Sequence, residues 1–367
     1  MSASSQVKLT PTRANGAVPD SFETGNGPLF VVGMWRSGTS LFYRLLNRHP
    51  QIALMYEGDL GLFRPLFFPA SQKSRWTEHW DFWSGALRRH GIDPKSIPSG
   101  IKDFKTAIET VYRSYAGPDA IWGCKSPNYY DRMDMLHSMF PDARFIVIWR
   151  DPRDVCRSVA RAGQVKYSWF ARRWMFERAL FGCRLLRSQY DELVRRKAHV
   201  HQVTYEELVS DPAHVMQGVS EFLTLPFDPA TASLSGGDHS AIENAAHHEK
   251  VKSNEISKLE DRDEALSPAE LSKVESYIKL WQDEFHGVWP VVRKPIQAAV
   301  KKPSTWQQLS DSINYRRILT WDRLRLGIYC YAPMWLLKQY RTVAKKPIPL
   351  SRNTAPQTEP ETASRAS

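Results

Sequence analysis

The sequence predicts an α/β fold: a P-loop-like three-layer arrangement with a central parallel sheet flanked by helices, plus a helical C-terminal appendage. Three observations predict it. An apolar run, Leu29 to Val32, stops at Gly33; a short polar loop containing Gly38 follows, then Leu41, Leu45 and Leu46 at helical spacing, which reads as strand, loop, helix. A second run, Arg144–Trp149 (RFIVIW), is continuous and rich in β-branched residues, as expected of a parallel strand buried on both faces. Further strands and helices alternate along the chain, the pattern of a parallel sheet with crossover helices.

The elements follow in order. Residues 1–27 are rich in Ser, Thr, Gly and Pro and read as a flexible lead. One domain is expected over residues 28–290, then a basic, aromatic-rich helical appendage over 291–350 and a disordered Pro/Thr/Ser-rich tail over 351–367. Gln51–Tyr56 reads as the second strand, ending at Glu57, and residues 58–120 as a helical, loop-rich insertion with many aromatics, among them Trp76, Trp80 and Trp83. A helix is expected over 131–140. Asp151-Pro152 opens another, with Asp as N-cap and Pro in the first turn, running to about Ala162. A long helix covers 168–197, His199–Val203 is a short strand, and 212–224 is helical. Residues 230–265 lack periodicity and read as a long loop, and Ser267-Pro268 starts a helix ending near Phe285.

The formal net charge of +11 is unevenly placed. From Val291 onward there are 14 Lys+Arg and 4 Asp+Glu, a net of +10, which leaves +1 for the preceding 290 residues. The basic pI therefore belongs to the appendage, and no nucleic-acid partner is expected. Four scattered cysteines without a CxxC pair read as reduced thiols. No apolar leader and no run of about 18 apolar residues is present, so the expectation is a cytoplasmic protein.

The loop after the first strand carries the chemistry. A loop at a helix N-terminus points backbone N–H groups outward and adds the positive end of the helix dipole, so it binds phosphate or sulfate. Gly33 and Gly38 match P-loop spacing, but Thr39 and Ser40 stand where the nucleoside-triphosphate P-loop has Lys and Ser/Thr, and the cation comes earlier, at Arg36. Glu57, at the end of a strand, and Arg150, at the end of RFIVIW, fall at the same edge of the sheet, where ligands bind in open α/β folds.

Three segments read together: GMWRSGTS (33–40), WGCKSP with Lys125 after a short apolar stretch, and FPDARFIVIWRDPRDVCRSVARA (140–162). In this order they resemble the sulfotransferases that use 3′-phosphoadenosine-5′-phosphosulfate (PAPS), in particular the tyrosylprotein sulfotransferases and related bacterial enzymes. The resemblance covers about residues 28–225. It implies that Arg36, Ser37, Gly38, Thr39 and Ser40 bind the donor's 5′-phosphosulfate, and that Arg150 and Ser158 bind its 3′-phosphate. It further implies that Lys125 and Arg36 stabilise the transferring group, that Glu57 is the general base, and that Tyr205 lies near the donor. Asp59 competes with Glu57 for the role of base. Lys250, in the long loop, is a further candidate donor contact. No metal is called for, because sulfuryl carries less charge than phosphoryl and the His pairs (His199/His201, His247/His248) lack partners at ligand spacing.

Two other classes compete. A P-loop kinase or NTPase would use Asp151 as its metal-binding acid, although Arg150 and the missing loop lysine argue against it. A non-catalytic nucleotide-binding, membrane-associated scaffold would keep only the anion site. The favoured acceptor is a hydroxyl on a carbohydrate or glycolipid. The appendage combines Trp306, Trp321, Arg316, Arg317, Arg323 and Arg325 with an uncharged run, Leu326 to Leu337, broken by Pro333. It fits either peripheral contact with a membrane's inner face or packing back onto the domain.

Overall fold

In the computed structural model, residues 27–98, 100–164, 170, 174–237, 241–242, 255–256, 266–282 and 299–344 are described. The sequence expectations for the N-terminal lead, for most of the long loop after residue 237, Lys250 included, and for the tail lie outside those residues. Five parallel strands form one sheet: β1 (Leu29–Gly33), β2 (Ile52–Tyr56), β3 (Ile121–Lys125), β4 (Arg144–Trp149) and β5 (His199–Thr204), in the order β2-β3-β1-β4-β5.

Side-chain alternation along β1 assigns the two faces. Phe30 and Val32 enter one core, with α4 (Phe104–Ala116), α5 (Met133–Met139), α6 (Pro152–Gln164) and α7 (Met175–Arg195). Leu29 and Val31 enter the other, with α1 (Thr39–Leu46), α8 (Tyr205–Ser210) and α9 (Pro212–Leu223). Every residue of β1 is buried, which is why its sequence is a continuous apolar run. The result is the expected three-layer arrangement.

Helix starts follow their caps. The Asp151 carboxylate accepts from the Arg153 backbone N–H (2.8 Å) at the start of α6. Ser267 and Glu270 form a reciprocal capping box before α10 (Pro268–Trp281), and the expected helix end near Phe285 lies outside the described residues. Arg144–Trp149 matches its expected strand, and α7 lies within the expected long helix, most of whose first residues are outside those described.

β3 is the element that the sequence reading passed over as a short apolar stretch. Gly123 interrupts its apolar run, and the packing explains the glycine: a Cβ there would lie 1.9 Å from the Leu29 carbonyl oxygen on the neighbouring strand. In the 58–120 insertion, α2 (Trp76–Ser84) and α3 (Ala86–Arg89) precede α4. Phe63, Trp76, Trp80, Phe104 and Tyr112 are buried there, so half of the insertion's aromatics are core.

The C-terminal segment forms α11 (Thr305–Tyr331) and α12 (Met334–Ala344), separated at Pro333. Leu326 and Cys330 are buried against the domain. Lys273 donates to Asp311 (2.9 Å), Tyr277 Oη donates to the same carboxylate (2.8 Å), and Arg178 pairs with Asp322. One face of α11 thus packs onto the domain. All four cysteines are free and buried.

Candidate active site

The register of the sheet assembles the site. β1 and β3 are neighbours, with Val31 opposite Lys125, and the Ser126 N–H donates to the Val31 carbonyl (3.0 Å). β2 pairs with β3 so that Tyr56 lies opposite Lys125. The loop after β1, Glu57 after β2, Lys125 at the end of β3 and Arg150 after β4 therefore meet at one edge.

Lys125 is fully buried and sits at the centre. Its Nζ donates to Glu57 Oε1 (2.6 Å) and to Ser40 Oγ (3.1 Å), and lies 3.9 Å from the centroid of the Tyr56 ring. Ser40 Oγ shares a hydrogen bond with the Tyr56 hydroxyl (2.8 Å). Burial pushes the Lys125 pKa down, and the Glu57 carboxylate opposes that shift. Burial, followed by the negative charge of Glu57, pushes the Tyr56 phenol well up, so it is a neutral hydrogen-bonding group at ordinary pH.

A second cluster lies on the β4 side. Arg36 Nε donates to Ser158 Oγ (3.0 Å), and Arg150 Nη1 donates to the Arg36 carbonyl (2.7 Å). Burial and the nearby Arg150 charge lower the Arg36 pKa to about 10, so its guanidinium remains charged. The Arg150 guanidinium lies 4.1 Å from the centroid of the Tyr205 ring. Tyr205 in turn explains Gly38: at φ +95°, a Cβ on residue 38 would sit 2.2 Å from the Tyr205 ring. Thr39 begins α1, so the loop's N–H groups stand where helix-start donors lack intrahelical partners. Ser37 is 1% exposed, and its hydroxyl has no hydrogen-bond partner among the described residues.

Glu57 and Asp59 separate clearly. Glu57 borders a cleft of about 350 Å³, with its side chain one-quarter exposed. Asp59 is 6% exposed and has both carboxylate oxygens engaged, one by the Ser126 hydroxyl and the other by Asn128 Nδ2 (2.9 Å). Asn128 Oδ1 then accepts from Trp35 Nε1 (2.9 Å). Burial, then the charge of Glu57, pushes the Asp59 carboxyl up to about 6. Asp59 thus holds the turn after Lys125 in place.

Arg36, Glu57 and Asp59 account for three of the five non-glycine residues with positive φ among the described residues (+66°, +45° and +57°). Such backbone gathers where surrounding contacts over-determine it. At Glu57 those contacts are its N–H donating to the Lys125 carbonyl (2.8 Å) and Arg89 donating to its own carbonyl (2.9 Å).

The structure therefore brings together Arg36, Ser37, Gly38, Thr39, Ser40, Glu57, Lys125, Arg150, Ser158 and Tyr205. The sequence reading missed Tyr56, Arg89 and Asn128, and it missed that α11 forms a wall of the cleft through Leu319, Asp322, Arg323, Arg325 and Leu326. Tyr56 and Asn128 were findable as polar neighbours of Glu57 and Lys125; Arg89 and α11 carry no local signal. Asp151 is bound by Arg153 (2.8 Å), which occupies the carboxylate that an NTPase would commit to its metal. Among the described residues, no three His, Cys, Asp or Glu side chains come together as a metal site.

Residues 28–229 match the model of the sulfotransferase family. The nodulation protein NoeE of Sinorhizobium fredii is 31% identical over 136 residues, covering 35% of this chain and 30% of NoeE, so the match spans under a third of that relative. Among solved structures, the sulfotransferase domain of the Synechococcus PCC 7002 olefin synthase is similar at a TM-score of 0.47 and 18% identity, over 84% of this chain and 98% of that one. A sulfotransferase from Alicyclobacillus acidocaldarius is similar at 0.42 and 16%, over 77% and 98%. With more than half of its length matched by the family model, over the region that holds the Gly33–Ser40 loop, Glu57, Lys125 and Arg150, this chain belongs to the sulfotransferase family.

Proposed function

We propose that this enzyme moves the sulfuryl group of PAPS to an acceptor hydroxyl by in-line displacement, with Glu57 as general base. The observation that carries the reading is the Lys125–Glu57–Ser40 cluster at the cleft, set beside the separate Arg36–Ser158–Arg150 cluster. The acceptor oxygen forms its bond to sulfur as the bond from sulfur to the donor's phosphate oxygen breaks. Its proton passes to Glu57, and the leaving charge resides on adenosine 3′,5′-bisphosphate.

Each residue has a physical reason for its part. The loop N–H groups and the Ser37, Thr39 and Ser40 hydroxyls face the 5′-phosphosulfate, and the partnerless buried Ser37 hydroxyl suits a donor oxygen. Lys125 and Arg36 are desolvated cations, and a desolvated cation stabilises developing charge more strongly than a solvated one. Arg150, with its planar fork, and Ser158 suit the 3′-phosphate. Tyr205 positions Arg150 by stacking.

A carbohydrate or glycolipid hydroxyl is the favoured acceptor. The cleft supports this with aromatic faces at Trp35, Trp83 and Phe170 beside polar groups at Asn128, Asp131 and Arg132, the mixture that sugars bind. The test is binding calorimetry. Arg150→Ala is expected to weaken adenosine 3′,5′-bisphosphate binding about tenfold or more, the loss of one charge-assisted contact, while leaving adenosine 5′-phosphate binding nearly unchanged. Equal losses for both nucleotides would refute the 3′-phosphate assignment. Sulfate transfer from radiolabelled PAPS to fractionated lipid, glycan and protein pools identifies the acceptor.

A further inference from the structure

α11 is apolar on two opposite faces. At about 100° per residue, Tyr315, Leu319, Asp322, Leu326 and Cys330 share the face that meets the domain and the cleft. On the opposite face stand Trp306, Ile313, Trp321, Leu324 and Ile328. Trp306 is 81% exposed, Trp321 65%, and the other three each more than half. The exposed patch continues into α12 with Trp335, which is also mostly exposed. A soluble helix ordinarily buries one apolar stripe and turns a polar face outward; this one leaves an apolar stripe in water over its whole length.

The charge on this region selects the occupant. Between residues 299 and 344 the acids are Asp311 and Asp322, and both are turned inward into ion pairs with Lys273 and Arg178. Lys301, Lys302, Arg316, Arg317 and Lys338 are exposed. The outward surface is thus apolar, tryptophan-rich and cationic, with no acid on it among the described residues. No helix among those residues is long and apolar enough to cross a membrane, so the helix would lie on a bilayer rather than span it.

We infer that the outer face of α11, continued by α12, docks this enzyme onto an anionic lipid bilayer. The indole rings sit at the headgroup level, the aliphatic side chains enter the acyl boundary, and the lysines and arginines meet lipid phosphates.

The test is co-sedimentation of the full-length protein with phosphatidylcholine vesicles, with and without phosphatidylglycerol. Binding is expected only with the anionic lipid, with weakening as salt rises. Ile313→Glu combined with Trp321→Glu and Ile328→Glu is expected to lower partitioning about tenfold or more, with adenosine 3′,5′-bisphosphate affinity unchanged. As a milder variant, Arg316→Gln with Arg317→Gln is expected to reduce the preference for anionic lipid by a similar factor. Equal binding to neutral vesicles, or partitioning that neither variant lowers, overturns the proposal. So does a concentration-dependent dimer in sedimentation equilibrium that the glutamates abolish while vesicles bind nothing, because the face would then cover a second copy of this chain.

Discussion

Replacing Asp59 by asparagine separates the two carboxylates that border the cleft. Asp59 is buried, and its carboxyl is pushed up to about 6 from an ordinary value of 3.8, first by desolvation and then by the charge of Glu57. A carboxyl with a raised folded-state pKa contributes stability that is fully present below the unfolded pKa and is lost as pH rises through the folded one. Two units or so correspond to about 3 kcal/mol of stability lost between about pH 4 and pH 7. The side-chain amide of Asp59→Asn does not titrate, so the variant carries no such loss. It does mispair one hydrogen bond, because the amide cannot accept from both the Ser126 hydroxyl and Asn128 Nδ2, a cost of about 1 kcal/mol. The variant is therefore expected to be less stable than the parent by about 1 kcal/mol near pH 4, and more stable by about 2 kcal/mol above pH 7. Urea unfolding of both proteins across that range measures the difference. A gap independent of pH, or one that moves in the parent's favour as pH rises, would refute the assignment of Asp59 as a desolvated structural carboxylate.

The remaining perturbations act on the proposed base and on the Gly38 loop. Glu57→Gln is expected to lower turnover about 100-fold or more, the usual contribution of a general base, with donor binding largely kept; turnover within about threefold of the parent's would place the base elsewhere. Gly38→Ala forces a left-handed backbone on an L-residue, worth about 1–2 kcal/mol of stability, and drives its methyl into the Tyr205 ring. Both urea stability and donor affinity are expected to fall together, and a variant matching the parent in both would show that the Gly38–Tyr205 packing is unimportant.

Much of the fold and site was legible because its signals are local. β1 and β4 are buried on both faces, so their apolar runs announce them, and the Gly38 loop lies between the first strand and its helix. Arg150 and Ser158 occupy one strand–helix connection, within eight residues of each other. β3 was obscured because Gly123 answers to the neighbouring strand's carbonyl rather than to strand propensity. The role of Asp59 depends on Ser126 and Asn128, more than 60 positions away. The placement of α11 is decided by pairs such as Arg178–Asp322, 144 positions apart. Neither leaves a periodicity to read.

The lysine missing from the loop has a structural replacement. In a P-loop, the lysine follows the second glycine and reaches the phosphates from the start of the helix. Here Thr39 holds that position, but β3 lies beside β1, and its last residue, Lys125, projects against Ser40 at 3.1 Å. The cation is thus supplied by the neighbouring strand instead of by the loop. That relocation has an electrostatic consequence. A lysine at the end of a central strand is fully buried, and burial alone disfavours its charge. Glu57, one strand further out, opposes that penalty at 2.6 Å. One residue therefore both pairs the buried cation and borders the cleft, which links the loop's departure from the P-loop pattern to the position of the proposed base.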